Sequence, residues 1–283
     1  MEMANMYWGY MRSLIPFGRK EESVELVRLG TWDVLGAAMD KMGRQRTEQI
    51  IRTTCDPMVF LSGSVLYLAL IFVMKKMMDK RGVPFQLNTA MRVYNVLQVL
   101  INLNLLARFL MTAEMDVFGP HYIFFINNPF TLQMKLNIYV HYLSKFLDFF
   151  DTIFIVLRRK NSQLSFLHIY HHATIGLIWG YLLHIGYGNG TAGWGAFINA
   201  VVHFMMYGHY LITSFGVSNP LKVFITRFQI IQFYLCLFHV PAALFLDKYI
   251  PAGLCYLQMG YHITMVMLFT SFYSKTYSKK KKV

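Results

Sequence analysis

This chain predicts an all-α membrane protein with seven transmembrane helices, on three observations. Hydrophobic residues make up 55% of its 283 residues and charged residues only 14%, where a soluble domain carries about 25% charged residues. A single water-soluble core of this size could not hide so much apolar surface. The apolar residues gather into runs of roughly 20, the helix length that crosses about 30 Å of hydrocarbon. Finally, Lys and Arg fall unevenly on the connections between those runs, as they do in multi-pass proteins.

In chain order, residues 1–57 read as a tail with eight basic and eight acidic residues. It lacks the basic start, apolar core and small-residue cleavage site of a signal peptide. Tyr7, Trp8 and Trp32 suit it to the membrane interface in part. Spans follow near 58–74, 91–112, 136–157, 164–184, 192–213, 223–246 and 251–273, the first being the shortest. The second is unusually polar, with Arg92, Asn95, Gln98, Asn102, Asn104 and Arg108, so one side of it faces protein or water. The seven-helix domain thus covers 58–274, and 275–283 is a basic tail. Three widely spaced cysteines (Cys55, Cys236, Cys255) form neither a disulfide framework nor a thiolate metal site.

The basic residues set orientation. Lys75, Lys76, Lys80, Arg81 and Arg92 follow span 1; Arg158, Arg159 and Lys160 follow span 3. Lys222 follows span 5, and Lys275 with Lys279 to Lys282 follow span 7. The alternate loops hold only Lys135 and Lys248, so fourteen against two place the C-terminus in the cytosol and the N-terminus in the lumen. Topology therefore accounts for the net charge of +13 without nucleic acid. The closing KKKKV resembles a dilysine retrieval signal of the endoplasmic reticulum; a basic tail on an anionic leaflet is the plainer alternative. Asn189-Gly190-Thr191 is a formal glycosylation acceptor in a loop so short that it is expected to stay unmodified.

Ionisable groups inside a span mark a functional site by default. Span 3 carries Lys145, Asp148 and Asp151 at steps of three; span 4 carries His168, His171 and His172 on one face. Span 5 carries Asn199, His203 and Tyr207 at steps of four, with His209 and Tyr210 nearby, and span 6 carries Thr226, Gln229 and Gln232. At 1.5 Å per residue from the predicted cytosolic ends, these lie at depths of roughly 6–15 Å. Four independent structural polar groups have no reason to share a layer. His141, His184, His239 and His262 fall outside it and read as packed or interfacial histidines. Asn95, Gln98 and Asn102 line a cavity or bond between helices, with nothing in the sequence to choose.

Three chemistries compete. HIYHH resembles an H-x-x-H-H metal box, but membrane di-iron desaturases and hydroxylases use about eight histidines in several boxes. The shared layer offers five: His168, His171, His172, His203 and His209. Thiol catalysis has no cysteine in the layer. Imidazole remains, since histidine can take up an acyl group and release it, with Asp148 or Asp151 to orient the ring. A non-enzymatic seven-helix receptor or transporter is a further alternative.

Together, K-x-x-D-x-x-D-T (Lys145 to Thr152), H-x-x-H-H (His168 to His172), N-x-x-x-H-x-x-M-Y (Asn199 to Tyr207) and T-x-x-Q-x-x-Q (Thr226 to Gln232) resemble the fatty acid elongase (ELO) family. The motifs occur in the family's order, and Tyr94-Asn95 also matches. The resemblance covers about 58 to 282. It implies a very-long-chain 3-oxoacyl-CoA synthase of the endoplasmic reticulum membrane, six of whose helices form a barrel around an acyl tunnel closed on the luminal side. The implied reaction joins acyl-CoA to malonyl-CoA, giving 3-oxoacyl-CoA, CO₂ and CoA. No metal or redox cofactor is implied, because decarboxylation supplies the carbanion. His171 would be the nucleophile, carrying the acyl group as an acyl-imidazole, and His203 the second catalytic histidine. His168 and His172 would complete the cluster, with Asp148 and Asp151 setting its orientation and charge. Lys145, Asn199, Tyr207, Tyr210, Gln229 and Gln232 would line the substrate site. Arg158, Arg159 and Lys160 would hold the CoA phosphates, though they serve topology as well. A homodimer, membrane lipid, and the reductases and dehydratase of the elongation cycle are the implied partners, with no nucleic acid. The segment FLHIYHHAT looks most like polyunsaturated fatty acid elongases of single-celled eukaryotes. Two positions depart from the pattern: Asp148 stands where Glu is usual, and His209 where Tyr is usual.

Overall fold

A computed structural model of the chain describes residues 43–113, 125–217 and 221–278. The described residues are helical, with no strand. The aromatic residues of the N-terminal tail and the dilysine-like end lie outside them. In chain order the helices are α1 (Arg44–Thr54), α2 (Pro57–Arg81), α3 (Asn88–Ala113), α4 (Leu132–Leu147), α5 (Phe149–Leu157), α6 (Phe166–His184), α7 (Gly193–Ser214), α8 (Lys222–Leu246) and α9 (Ala252–Tyr273).

Local chemistry starts and stops them. Asp56 caps α2 by accepting from the Met58 amide at 2.8 Å, with Pro57 in the first turn, where a missing N–H costs nothing. Thr131 caps α4 and Ser165 caps α6 in the same way. Gly82 ends α2 in the left-handed conformation, φ 76°.

Four helices are long and apolar enough to cross a membrane: Pro57–Arg81, Asn88–Thr112, Lys222–Leu246 and Ala252–Tyr277. The chain is a multi-pass membrane protein, and many of its large apolar side chains face outward. Val65 and Leu66 on α2 and Phe238 and Phe245 on α8 are 66–79% exposed, which suits hydrocarbon rather than water. The other three predicted spans lie on α4–α5, α6 and α7; the first buries Asn137, Lys145 and Asp148, and the last Asn199 and His203.

Two expectations need correction. The first span is not the shortest: α2 runs on to Arg81, because Lys75, Lys76, Lys80 and Arg81 continue the helix beyond its apolar part. The third is not one unbroken helix. The chain turns tightly at Asp148, where the Asp151 amide bonds the Asp148 carbonyl three residues back. The stretch read as a tail to residue 57 is helical over α1. There Thr47, Ile51 and Cys55 are buried, and the Thr54 and Tyr139 hydroxyls meet at 2.9 Å. Burial pushes the Cys55 thiol up to about 11, so it is not a thiolate at neutral pH.

Helix pairing is ordered. α3 packs on α7 and α4, α4 on α6, α6 on α9, α9 on α8, and α8 on α7, with α2 outside against α5 and α6. Gly180 of α6 allows the α2 contact. A Cβ there would stand 2.7 Å from the Phe60 ring. At the opposite end from Arg158 and Arg159, the Asp247 carboxylate gathers three loops. It accepts from the Asn127 amide (2.8 Å), the Tyr249 amide (2.7 Å), the Ile250 amide and the Thr191 hydroxyl. Asn189 is buried, its amide nitrogen donating to the Thr131 carbonyl at 2.9 Å.

Candidate active site

Lys145, near the C-terminus of α4, is 1% exposed. An isolated buried ammonium is prohibitively costly, and this one is matched: Nζ lies 3.1 Å from Asp148 Oδ2 and 2.9 Å from Asn199 Oδ1 on α7. Asp148 is the hub. Its Oδ1 accepts from Gln98 Nε2 on α3 (2.8 Å) and lies 3.2 Å from the Tyr207 hydroxyl oxygen on α7. Its Oδ2 stands 3.7 Å from His203 Nδ1, too far for a hydrogen bond. Tyr207 donates to Asp151 Oδ2 at 2.6 Å, and Tyr94 packs edge-on against it. The polar face of α3 thus turns to protein, with Asn95, Gln98 and Asn102 all buried.

The α6 histidines form a second group. The Ser165 cap fixes where the helix begins and so the register of His168. His168 Nε2 pairs with Thr152 Oγ1 at 2.8 Å, which in turn meets the Tyr67 hydroxyl at 2.9 Å. The His168 and His172 rings are 4.3 Å apart, and those of His171 and His172 5.5 Å. His171 Nδ1 lies 3.2 Å from the Tyr261 hydroxyl on α9. An Nδ1–H donated to Tyr261 leaves Nε2 with its lone pair free. α4, which carries Lys145, packs on both α6 and α7, so the two groups stand on neighbouring helices.

The carboxylates therefore meet His203 and Tyr207, whereas His168 and His171 are held by hydroxyls. Of the other predicted residues, Gln232 is buried and Gln229 lies 3.4 Å from Met206 Sδ. Tyr210 is 43% exposed and packs on Tyr207, and His209 is buried with Nδ1 unbonded. Arg158, Arg159 and Lys160 stand apart on the connection after α5, where the Arg159 guanidinium bonds the Gly82 carbonyl. Among the described residues no group of three His, Cys, Asp or Glu side chains converges as a metal cage.

Sequence reasoning missed Tyr67 and Tyr261, single hydroxyls in apolar runs whose partners lie on distant helices. It left Gln98 undecided, and Gln98 proves to bond between helices at the site itself.

Comparison with known proteins shows the family. The ELO (GNS1/SUR4) family profile matches residues 53–283. The chain is 44% identical over 232 residues to fatty acid elongase 5 of Trypanosoma cruzi, covering 78% of this chain and 87% of that one. It is 46% identical over 224 residues to fatty acid elongase 5 of Leishmania major, covering 79% and 87%. With human very long chain fatty acid elongase 4 it shares 33% over 235 residues, covering 80% and 74%. The profile covers most of the sequence and the likenesses extend over more than three quarters of it: the chain belongs to the ELO family of fatty acid elongases.

Proposed function

We propose that this protein condenses a long-chain acyl-CoA with malonyl-CoA to give 3-oxoacyl-CoA, CO₂ and CoA, the first step of an elongation cycle in the endoplasmic reticulum membrane. The carrying observation is His171, whose Nδ1 is engaged by Tyr261 while Nε2 makes no hydrogen bond, on a helix packed against the one that carries Lys145. Nε2 attacks the thioester carbonyl; the C–S bond breaks and the CoA sulfur leaves, taking a proton. The acyl-imidazole then meets malonyl-CoA. Loss of CO₂ leaves a carbanion that attacks the acyl carbonyl, and the imidazole departs. His203, beside Asp148, handles the proton, and the Lys145 charge favours the developing enolate oxygen. No metal or redox cofactor takes part.

The pairing order of α3, α4, α6, α9, α8 and α7 returns on itself, which supports a six-helix barrel around an acyl tunnel, with α2 as the seventh span. The loops knotted by Asp247 would close its luminal end. Arg158, Arg159 and Lys160, at the mouth beside α6, would bind CoA phosphates. A homodimer working beside the cycle's reductases and dehydratase, and polyunsaturated chains among its substrates, complete the proposal.

Incubation of the purified protein with acyl-CoA alone should add the acyl mass to His171. Malonyl-CoA should then discharge it as 3-oxoacyl-CoA. Condensation surviving in His171→Ala would discard the assignment, and tightly bound iron with oxygen consumption would favour di-iron chemistry instead.

A further inference from the structure

Tyr67 of α2 has no part in the reaction set out above, yet its hydroxyl reaches the histidine cluster. Its ring is 2% exposed and stacks on Phe149, with centroids 4.3 Å apart. Gly63, one turn before it, lets α2 come close, as Gly180 does from the other side. A Cβ on Gly63 would stand 2.9 Å from the Phe146 ring. Held there, the Tyr67 hydroxyl meets Thr152 Oγ1 on α5 at 2.9 Å, and Thr152 Oγ1 meets His168 Nε2 on α6 at 2.8 Å.

Thr152 differs from other helical threonines of this chain. Thr112, Thr174, Thr213, Thr226 and Thr264 each donate to the carbonyl four residues back, a common use of a hydroxyl within a helix. Thr152, 0% exposed, bonds two side chains instead. A hydroxyl has one hydrogen to give. Only one order therefore gives both hydroxyl hydrogens an acceptor: Tyr67 donates to Thr152, and Thr152 donates to His168 Nε2. If His168 donated from Nε2, the hydrogen of either Tyr67 or Thr152 would be buried with no acceptor among the described residues. An orphaned buried donor is costly, so the first order prevails. It commits the Nε2 lone pair of His168 and puts the ring's hydrogen on Nδ1.

We propose that Tyr67 is a positioning residue for the histidine cluster: acting through Thr152, it holds His168 as the neutral Nδ1–H tautomer, an N–H donor in the site and not a base. The helix outside the ring thereby sets the chemical character of a residue within it. The consequence for rate rests on the condensing-enzyme reading; the tautomer does not. One neutral hydrogen bond is worth about two- to ten-fold in an equilibrium or a rate.

Nitrogen NMR of the full chain, isotope-labelled at histidine, reads the tautomer. The His168 signal, identified by its loss in His168→Gln, should show hydrogen on Nδ1 and a bare, hydrogen-bonded Nε2. Tyr67→Phe, which keeps the stacked ring and removes only the oxygen, should turn it into a mixture of both tautomers. Hydrogen on Nε2 in the wild type, or a tautomer indifferent to Tyr67→Phe, overturns the proposal. With acyl-CoA and malonyl-CoA, Tyr67→Phe should lower kcat about two- to ten-fold and change KM little. Adding Tyr67→Phe to Thr152→Val should cost nothing further, since Tyr67 acts through Thr152; additive losses overturn the relay. Thr152→Ser, which keeps the hydroxyl, should keep the wild-type tautomer. If Tyr67→Phe does not fold, the wild-type spectrum and the comparison of Thr152→Ser with Thr152→Val decide. Should no acyl-CoA turn over, the condensing reading fails on its own, and the His168 spectrum still decides the proposal.

Discussion

At the residue scale the site depends on what each group is bonded to. Tyr261 is expected to fix the tautomer of His171, so Tyr261→Phe should lower the rate of acyl loading by about 10–100-fold, the usual effect of losing a partner that orients a reactive ring. Its KM should change little; single-turnover loading kinetics check this. Lys145 and Asp148 are a buried ion pair, and removing one partner of such a pair costs about 3–5 kcal/mol. Lys145→Met should therefore lower thermal stability strongly, and Lys145→Met with Asp148→Asn should recover part of the loss, as a double-mutant cycle in detergent would show. Asp148→Glu, which restores the carboxylate usual in the family, should retain condensing activity, whereas Asp148→Asn should lose most of it. The types and spacings of these residues were legible in the sequence. Their partners were not: helical periodicity says which face a group occupies, but not which distant helix supplies its hydrogen bond. Hence Asp148 could be picked out, while its contacts with Gln98 and Tyr207 could not.

At the element scale, span positions could be read because each required a long apolar run, and caps such as Asp56 and Ser165 are local signals. Two features escaped. The charged extension of α2 has helical propensity but no apolar run. The turn at Asp148 preserves the three-residue spacing and so leaves no mark on the pattern. Close contact between α2 and α6 rests on the absence of a side chain at Gly180. Gly180→Ala would press a methyl group against the base of Phe60, whose Cβ lies 3.0 Å away and cannot swing aside. Overpacking of this kind costs about 1–3 kcal/mol. Gly208→Ala, where nothing lies within 4 Å, is the matched control and should be neutral or stabilising. Thermal unfolding of the two variants side by side tests the contrast.

For the whole molecule, the arrangement inverts that of a soluble protein: apolar side chains outside, charges and imidazoles within. Composition alone predicted that inversion, because 14% charged residues cannot cover a water-facing surface of this size. Orientation rests on the Lys and Arg count. A glycosylation acceptor added at the C-terminus should stay unmodified, and Asn189, with its amide nitrogen already bonded, should stay unmodified as well.

The carboxylate of Asp247 has a consequence for biogenesis. It latches Asn127 and Thr191, residues made long before it, to the loop that follows α8. The two earlier loops can meet before it exists, because Asn189 and Thr131 bond each other directly. Only when the penultimate helix has been inserted can the acid join the third loop to them. A chain stalled before that point leaves the Asn127 amide without this acceptor.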